Sequence, residues 1–164
     1  MFRRGKKKLK ITKDEAFLSA VVRGDVDQVT ATCKANRSKV VNEVIPWIDS
    51  VFDKAHRSPL VLASAMGNAD MVRVLLKKKI DIDAQDEDGN TALFHAGAHG
   101  HLAVVKLLLA KGCDTSLENA HGQRPHDLVE LVPCRSNKPD CDTADCEYHS
   151  AKAEVKELLE TMCK

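Results

Sequence analysis

Four side chains that bind zinc well lie close together near the end of the sequence. Cys134, Cys141, Cys146 and His149 have the spacing C-x6-C-x4-C-x2-H. Three thiolates and an imidazole can surround Zn²⁺ tetrahedrally, and a bound ion would order an irregular loop. The pattern lacks a C-x2-C pair, so two other interpretations stay open: unpaired loop thiols, or a disulfide that joins Cys141 to Cys134 or to Cys146. Cys163 is a further thiol, better explained as the end of a helix.

Two histidines, His95 and His99, are four residues apart, which places both on one face of a helix. No glutamate follows His95, so this is not the H-E-x-x-H arrangement of zinc hydrolases. The pattern favours surface histidines in a recognition face. The sequence contains no Gly-rich phosphate loop, G-x-S-x-G elbow or Cys–His nucleophile motif, so it gives no support for enzymatic activity.

These histidines belong to a unit of two short helices. Residues 86–90 (DEDGN) are a turn signal, in which Gly89 can adopt the positive φ of a tight turn. Residues 91–99 predict a first helix that Gly100 ends, and a second helix follows. Its apolar stripe has the spacing of one helix face: Leu102, Val105, Leu108 and Leu109. One such unit cannot bury this stripe alone, so neighbours of the same shape are expected.

The unit recurs at an offset of 33 residues, which aligns Gly67 with Gly100 and Gly89 with Gly122. The pattern resembles the ankyrin repeat, and the matching residues are Asp86, Gly89, Thr91, Leu93, Ala96, Gly100, His101, Val104, Val105, Leu107, Leu108, Leu109, Gly112 and Asp114. Ala92, Phe94 and Gly97 stand where that family has proline, histidine and alanine. These departures weaken the expected Thr–His hydrogen bonding and leave the register intact.

The resemblance implies an all-α fold, a solenoid of stacked helix-turn-helix units with short hairpin-like turns. We expect a basic tail over residues 1–13 and a single ankyrin-repeat domain over 14–164. The four repeats would cover about 14–57, 58–85, 86–118 and 119–164, and the first and last would act as caps. The first has an insertion at 35–57 that contains Trp47, and the last has one at 133–150. Trp47 and its apolar neighbours either pack back on repeats 1 and 2 or form an exposed anchor.

Composition and charge limit the kinds of partner and the cellular location that are expected for the chain. Its 164 residues carry a formal charge of +1, so the molecule as a whole has no strong field for nucleic acid or membranes. No run of apolar residues is long enough to predict a membrane span. Six of the first ten residues are Lys or Arg, which indicates either a solvated tail or a segment for nuclear import or acidic surfaces. With no secretory signal and six cysteines, we expect reduced thiols and an intracellular, cytoplasmic location, extending to the nucleus if the tail is an import signal.

The resemblance implies a protein–protein interaction module, an adaptor or inhibitor-like protein that binds a partner protein or peptide. Its contacts would come from the concave helix face and the turn tips. The candidate residues are Arg23, Leu62, Met66, Glu87, Asp88, Asn90, His95, His99 and His121. Leu62 and Met66 beside the two histidines would form an apolar strip with polar margins. A monomer is expected. The alternatives are a docking module stabilised by zinc and association with nucleic acid or anionic surfaces through the basic N-terminus.

Overall fold

The regular elements of this computed structural model are helices, as predicted. The structure describes residues 13–35, 57–78, 80–131 and 147–162. The helices in these residues are α1 (Lys13–Arg23), α2 (Val26–Ala35), α3 (Pro59–Ala65), α4 (Ala69–Leu76), α5 (Ala92–Ala98), α6 (Leu102–Ala110), α7 (Pro125–Leu131) and α8 (Glu147–Met162). The all-α prediction is confirmed.

The helices stack as four antiparallel pairs in two rows. Each odd-numbered helix contacts the next even-numbered one, which gives the pairs α1–α2, α3–α4, α5–α6 and α7–α8. The first helices contact one another in the order α1, α3, α5 and α7, and the second helices do so in the order α2, α4, α6 and α8. Each pair therefore touches its neighbours through both rows, which is the arrangement of a helical solenoid.

A glycine of positive φ ends the first helix of three pairs. Gly24, Gly67 and Gly100 have φ values of 74°, 72° and 68°. In the third pair the His101 N–H donates to the Ala96 carbonyl at 2.9 Å, and the same bond recurs at the equivalent places of the first two pairs. This left-handed cap satisfies carbonyls at the helix end and turns the chain back for the second helix.

Gly67 is also needed for space. A Cβ atom at this position would lie 2.6 Å from Nδ1 of His101, far inside van der Waals contact. The His101 ring reaches across the repeat boundary, where its Nε2 lies 3.1 Å from the Ala65 carbonyl oxygen. Two adjacent repeats are therefore joined by a side chain that only a glycine admits.

The hydrophobic core runs the whole length of the stack. Its fully buried side chains include Phe94, Leu93 and Leu108 in the third pair. At the two ends, Phe17 of α1 is 2% exposed and Leu159 of α8 is 0% exposed. Thus α8 occupies the place of the second helix in the last pair. It begins at Glu147 rather than at residue 151, so its first turn comes from the predicted insertion.

Several predictions from the sequence fall outside the described residues. They concern residues 1–12, most of both insertions with Trp47, and Cys163. The boundaries proposed for the tail and for the four repeats stay predictions.

Candidate protein-binding surface

The turn before α5 is organised around one buried carboxylate. Oδ1 of Asp86 accepts the backbone N–H groups of Asp88 at 3.1 Å and Asn90 at 2.8 Å. The Gly89 N–H donates to the Asp86 carbonyl at 3.0 Å, and Gly89 has a φ of 76°. Because one side chain takes up the amides of its own turn, residues 86–90 adopt a defined shape. We call them the third turn.

The other oxygen of Asp86 binds His95. Oδ2 lies 2.7 Å from Nε2 of His95, and the Asp86 side chain is 0% exposed while that of His95 is 12% exposed. Burial raises the pKa of Asp86, but the hydrogen bond and the charge of His95, with the N–H groups of Asn90 and Asp88, hold this pKa below its ordinary value. An ionised carboxylate only accepts, so Nε2 of His95 carries the proton. This bond fastens the third turn to the middle of α5.

Residues 119–123, the fourth turn, repeat this geometry with an uncharged residue. Oδ1 of Asn119 accepts the N–H groups of His121 at 2.9 Å and Gln123 at 3.0 Å. Asn119 holds the register position of Asp86, and Leu128 holds that of His95. The backbone of the two turns is therefore shaped in the same way, and only the third has the additional bond to its helix.

The two turns are hydrogen-bonded to each other. The Ala120 N–H donates to the Asp88 carbonyl at 2.9 Å, and Nδ2 of Asn119 donates to Oδ1 of Asn90 at 3.1 Å. Nε2 of Gln85 donates to the carbonyls of Gly89 at 2.8 Å and of Glu118 at 3.2 Å. These bonds hold the two turns as one edge, while Glu87, Asp88, Ala120 and His121 remain exposed.

Comparison with known proteins assigns the family. The family model "Ankyrin repeats (3 copies)" matches residues 19–119, more than half of the chain. The chain belongs to the ankyrin-repeat family. The resemblance seen in the sequence is thereby confirmed, and its paired helices and hydrogen-bonded turns are those of ankyrin repeats.

The curated relatives are mostly much longer proteins. Mouse "Ankyrin repeat and SAM domain-containing protein 6" is 40% identical over 86 residues, which is 52% of this chain and 9% of the relative. Rice "Zinc finger CCCH domain-containing protein 24" is 30% identical over 135 residues, 77% of this chain and 18% of the relative. Mouse "Protein phosphatase 1 regulatory subunit 27" is 28% identical over 125 residues, 74% of this chain and 73% of the relative.

The candidate residues differ widely in exposure within the ankyrin fold. Exposed side chains are those of Arg23, Met66, Glu87, Asp88 and His121; Asn90 and His99 are half-buried. The hydrogen bonds between the two turns bring Glu87, Asp88, Asn90 and His121 together, whereas Arg23 lies apart at the end of α1.

The apolar strip expected from the sequence is largely covered. Leu62 is 8% exposed and belongs to the core of the ankyrin stack, and His95 is directed to Asp86 rather than to the surface. Met66, 51% exposed at the end of α3, is what remains of this strip. We call Met66 and the exposed side chains of residues 86–90 and 119–123 the turn surface.

Sequence reasoning missed several residues that shape this surface. The roles of Asp86, Gln85 and Asn119 depend on contacts between a turn and a helix or between two turns. A signal did exist for Asn119, because it lies 33 residues after Asp86 and both are side chains that shape turns. The ring centroid of His101 lies 5.9 Å from that of His99, a contact that the repeat pattern alone does not predict.

One of the four predicted zinc ligands lies among the described residues. Cys134, Cys141 and Cys146 lie outside the described residues, and His149 is in the first turn of α8. Among the residues that the structure describes, no group of three or more His, Cys, Asp or Glu side chains is placed to hold a metal ion. His95 and His99 accordingly form no such group there.

In the part of the ankyrin domain that the structure describes, no helix combines the length and the apolar composition needed to cross a membrane.

Proposed function

We propose that this ankyrin domain is a protein-interaction module, adaptor or inhibitor-like, that holds a partner protein or peptide on the turn surface. The observation that carries the proposal is the rigid edge of the third and fourth turns. The two turns are hydrogen-bonded to each other through backbone and side-chain groups, and the Asp86 side chain binds His95 of α5, while their outer side chains are exposed. Exposed groups on a pre-ordered backbone lose little conformational entropy on binding, which favours affinity.

The comparisons support the general mode and leave the partner open. Ankyrin repeats generally mediate protein–protein interaction, and one relative is named as a regulatory subunit. We infer that the chain acts by occupying a partner's surface and without catalysis of its own, as a monomer inside the cell.

The test is capture of partners by the intact chain. Full-length protein, the variant Asp88→Ala/His121→Ala and the control Lys77→Ala/Lys111→Ala would be immobilised and exposed to cell extract, with bound proteins quantified by mass spectrometry. Both pairs remove exposed side chains, and the control pair lies beyond the second helices. We expect the first variant to lose specific partners and the control to keep them. Equal capture by all three would refute the turn surface as the binding site.

A structural zinc site in the C-terminal insertion is a second proposal. Cys134, Cys141, Cys146 and His149 are three cysteines followed by a histidine. The rice relative is named for a zinc-finger domain with the same order of residues, CCCH. Protein purified without chelator should contain about one zinc per chain if the four residues coordinate it. A content below about 0.2 zinc per chain would exclude this site.

The basic N-terminus offers a third proposal, association with nucleic acid or another anionic surface. It predicts binding that weakens steeply with salt and disappears when residues 1–10 are deleted. Binding that survives the deletion would eliminate it.

A further inference from the structure

Charge is distributed very unevenly across the middle repeats. Between Ile80 and Val105 five residues are acidic and none is Lys or Arg. Of these acids, Asp81, Glu87 and Asp88 are exposed. The next repeat adds exposed Asp114 and Glu118 ahead of its turn, and Glu118 pairs with Arg124 at 3.2 Å. The exposed charge of the third turn, and of the segments that lead into both turns, is therefore predominantly negative.

The second helices of the two middle pairs, α4 and α6, carry the opposite charge. In residues 69–78 and 102–113 the basic side chains are Arg73, Lys77, Lys78, Lys106 and Lys111, whereas Asp70 is the one acid. Arg73 pairs with Asp70 at 3.2 Å and Lys106 pairs with Glu154 of α8 at 2.9 Å. A near-neutral chain thus carries negative charge in and before its turns and positive charge on α4 and α6, and only the former adjoins the turn surface.

One exposed apolar side chain lies at the end of a first helix next to α5. Among the described residues, Met66 and Met162 are the large hydrophobic side chains that are exposed, at 51% and 54%. Met66 follows α3, which packs beside α5, and it holds the register position of His99, at the end of α5 opposite the third turn. A methionine adapts to ligands of different shape, and its burial by a partner would add a hydrophobic contribution to electrostatic attraction.

We propose that the partner of the turn surface is a protein segment rich in Lys and Arg that also presents a large apolar side chain. The inference rests on the proposed function and adds the chemistry of the partner. Acids on a hydrogen-bonded edge attract cations without reordering the turns, while they repel nucleic acid and acidic peptides. The apolar side chain of the segment covers Met66.

The experiment measures binding of two synthetic peptides to the full chain by fluorescence anisotropy, one of alternating lysine and leucine and one of alternating glutamate and leucine. Three variants are compared with the natural chain: an edge variant, Asp81→Asn/Glu87→Gln/Asp88→Asn, in and just before the third turn; a control, Asp27→Asn/Asp70→Asn/Glu157→Gln, elsewhere; and Met66→Ser. The two triple variants remove the same charge from exposed positions, so they separate a local effect from net charge. Thermal unfolding establishes that each variant is folded.

We expect the lysine peptide to bind at least about tenfold more tightly than the glutamate peptide. The edge variant should weaken this binding about tenfold, the control triple less than about twofold, and Met66→Ser about threefold. Equal loss in both triple variants, or equal binding of both peptides, would overturn the proposal. A tenfold gain in affinity for the lysine peptide after neutralising the six basic residues of positions 1–10 would also overturn the proposal, because the surface would then be assigned to the chain's own N-terminus.

Failure here is distinguishable from failure of the proposed function. If Asp88→Ala/His121→Ala loses partners from extract while the peptides show no preference for lysine, the turn surface binds proteins but this class of partner is wrong. If neither the extract nor the peptides distinguish the variants, the turn surface itself is wrong.

Discussion

The contribution of the Asp86–His95 pair can be tested by giving the third turn the residues of the fourth. The fourth turn has Asn119 and Leu128 at the corresponding register positions and keeps the same backbone hydrogen bonds. The double variant Asp86→Asn/His95→Leu therefore gives the third turn the side chains of the fourth. We expect this double variant to fold and to be less destabilised than its two single changes predict together.

The magnitudes follow from the bonds that each change removes. Asp86→Asn keeps an oxygen for the amides of Asp88 and Asn90 but loses the charge-assisted bond to His95, at a cost of about 1–2 kcal/mol. His95→Leu leaves a carboxylate of 0% exposure without its imidazole donor, which costs about 2–3 kcal/mol. In the double variant no buried charge remains, so the two costs should overlap by about 1–2 kcal/mol.

The assay is urea unfolding at neutral pH of the natural chain, the two single variants and the double variant. The free energy of unfolding of each is obtained from the midpoint and slope of its transition. Additivity within about 0.3 kcal/mol would refute the idea that the bond between the two side chains contributes to stability.

The pH dependence of stability provides a second test of the same bond. The pKa of Asp86 lies below its ordinary 3.8, so its stabilising effect is complete above that value and is lost as the pH falls through the folded-state pKa. The natural chain should therefore lose more stability below about pH 4 than Asp86→Asn does.

Three further predictions concern single positions. Gly67→Ala should destabilise the fold by at least about 1 kcal/mol more than Gly122→Ala in urea unfolding, because both have positive φ but only the former would collide with His101; equal losses would contradict this. Oγ1 of Thr91 is buried without a hydrogen-bond partner, so Thr91→Val should leave the free energy of unfolding unchanged or raise it by up to about 1 kcal/mol. A destabilisation of more than about 1 kcal/mol would show that the hydroxyl does have a partner. Burial and the nearby Asp83 and Asp114 raise the pKa of Cys113 to about 12, so folded protein should resist alkylation there at pH 8, as peptide mass spectrometry would show; rapid labelling would contradict it.

The sequence was sufficient for the helical stack because its signals are local and periodic. Gly67 and Gly100 mark the same cap in two repeats, and the stripe that includes Leu108 marks the buried side of a second helix. The orphaned hydroxyl of Thr91 also agrees with the weakened bonding expected from Phe94, which occupies the family's histidine position.

The side chains at the surface were harder to place. Helical periodicity puts Leu62 and His95 at equivalent register positions, but it does not reveal how closely neighbouring helices cover them. Leu62 is 8% exposed as a result, and His95 is turned toward a carboxylate nine residues earlier. Such a contact exists only once the turn has folded back on its helix, so spacing along the chain does not predict it.

The contrast between the two turns indicates what the buried carboxylate contributes. Because Asn119 accepts the same two amides as Asp86 does, a negative charge is not required to shape the turn. The charge has a use only at its second oxygen, where it binds His95 and holds the third turn against α5. In the fourth repeat Leu128 provides no such bond, yet the turn remains attached through Asn119 and Ala120 to its neighbour. The third turn is thus the anchored one on which the fourth depends, so loosening His95 should loosen both turns and reduce partner binding more than its distance from the exposed acids would suggest.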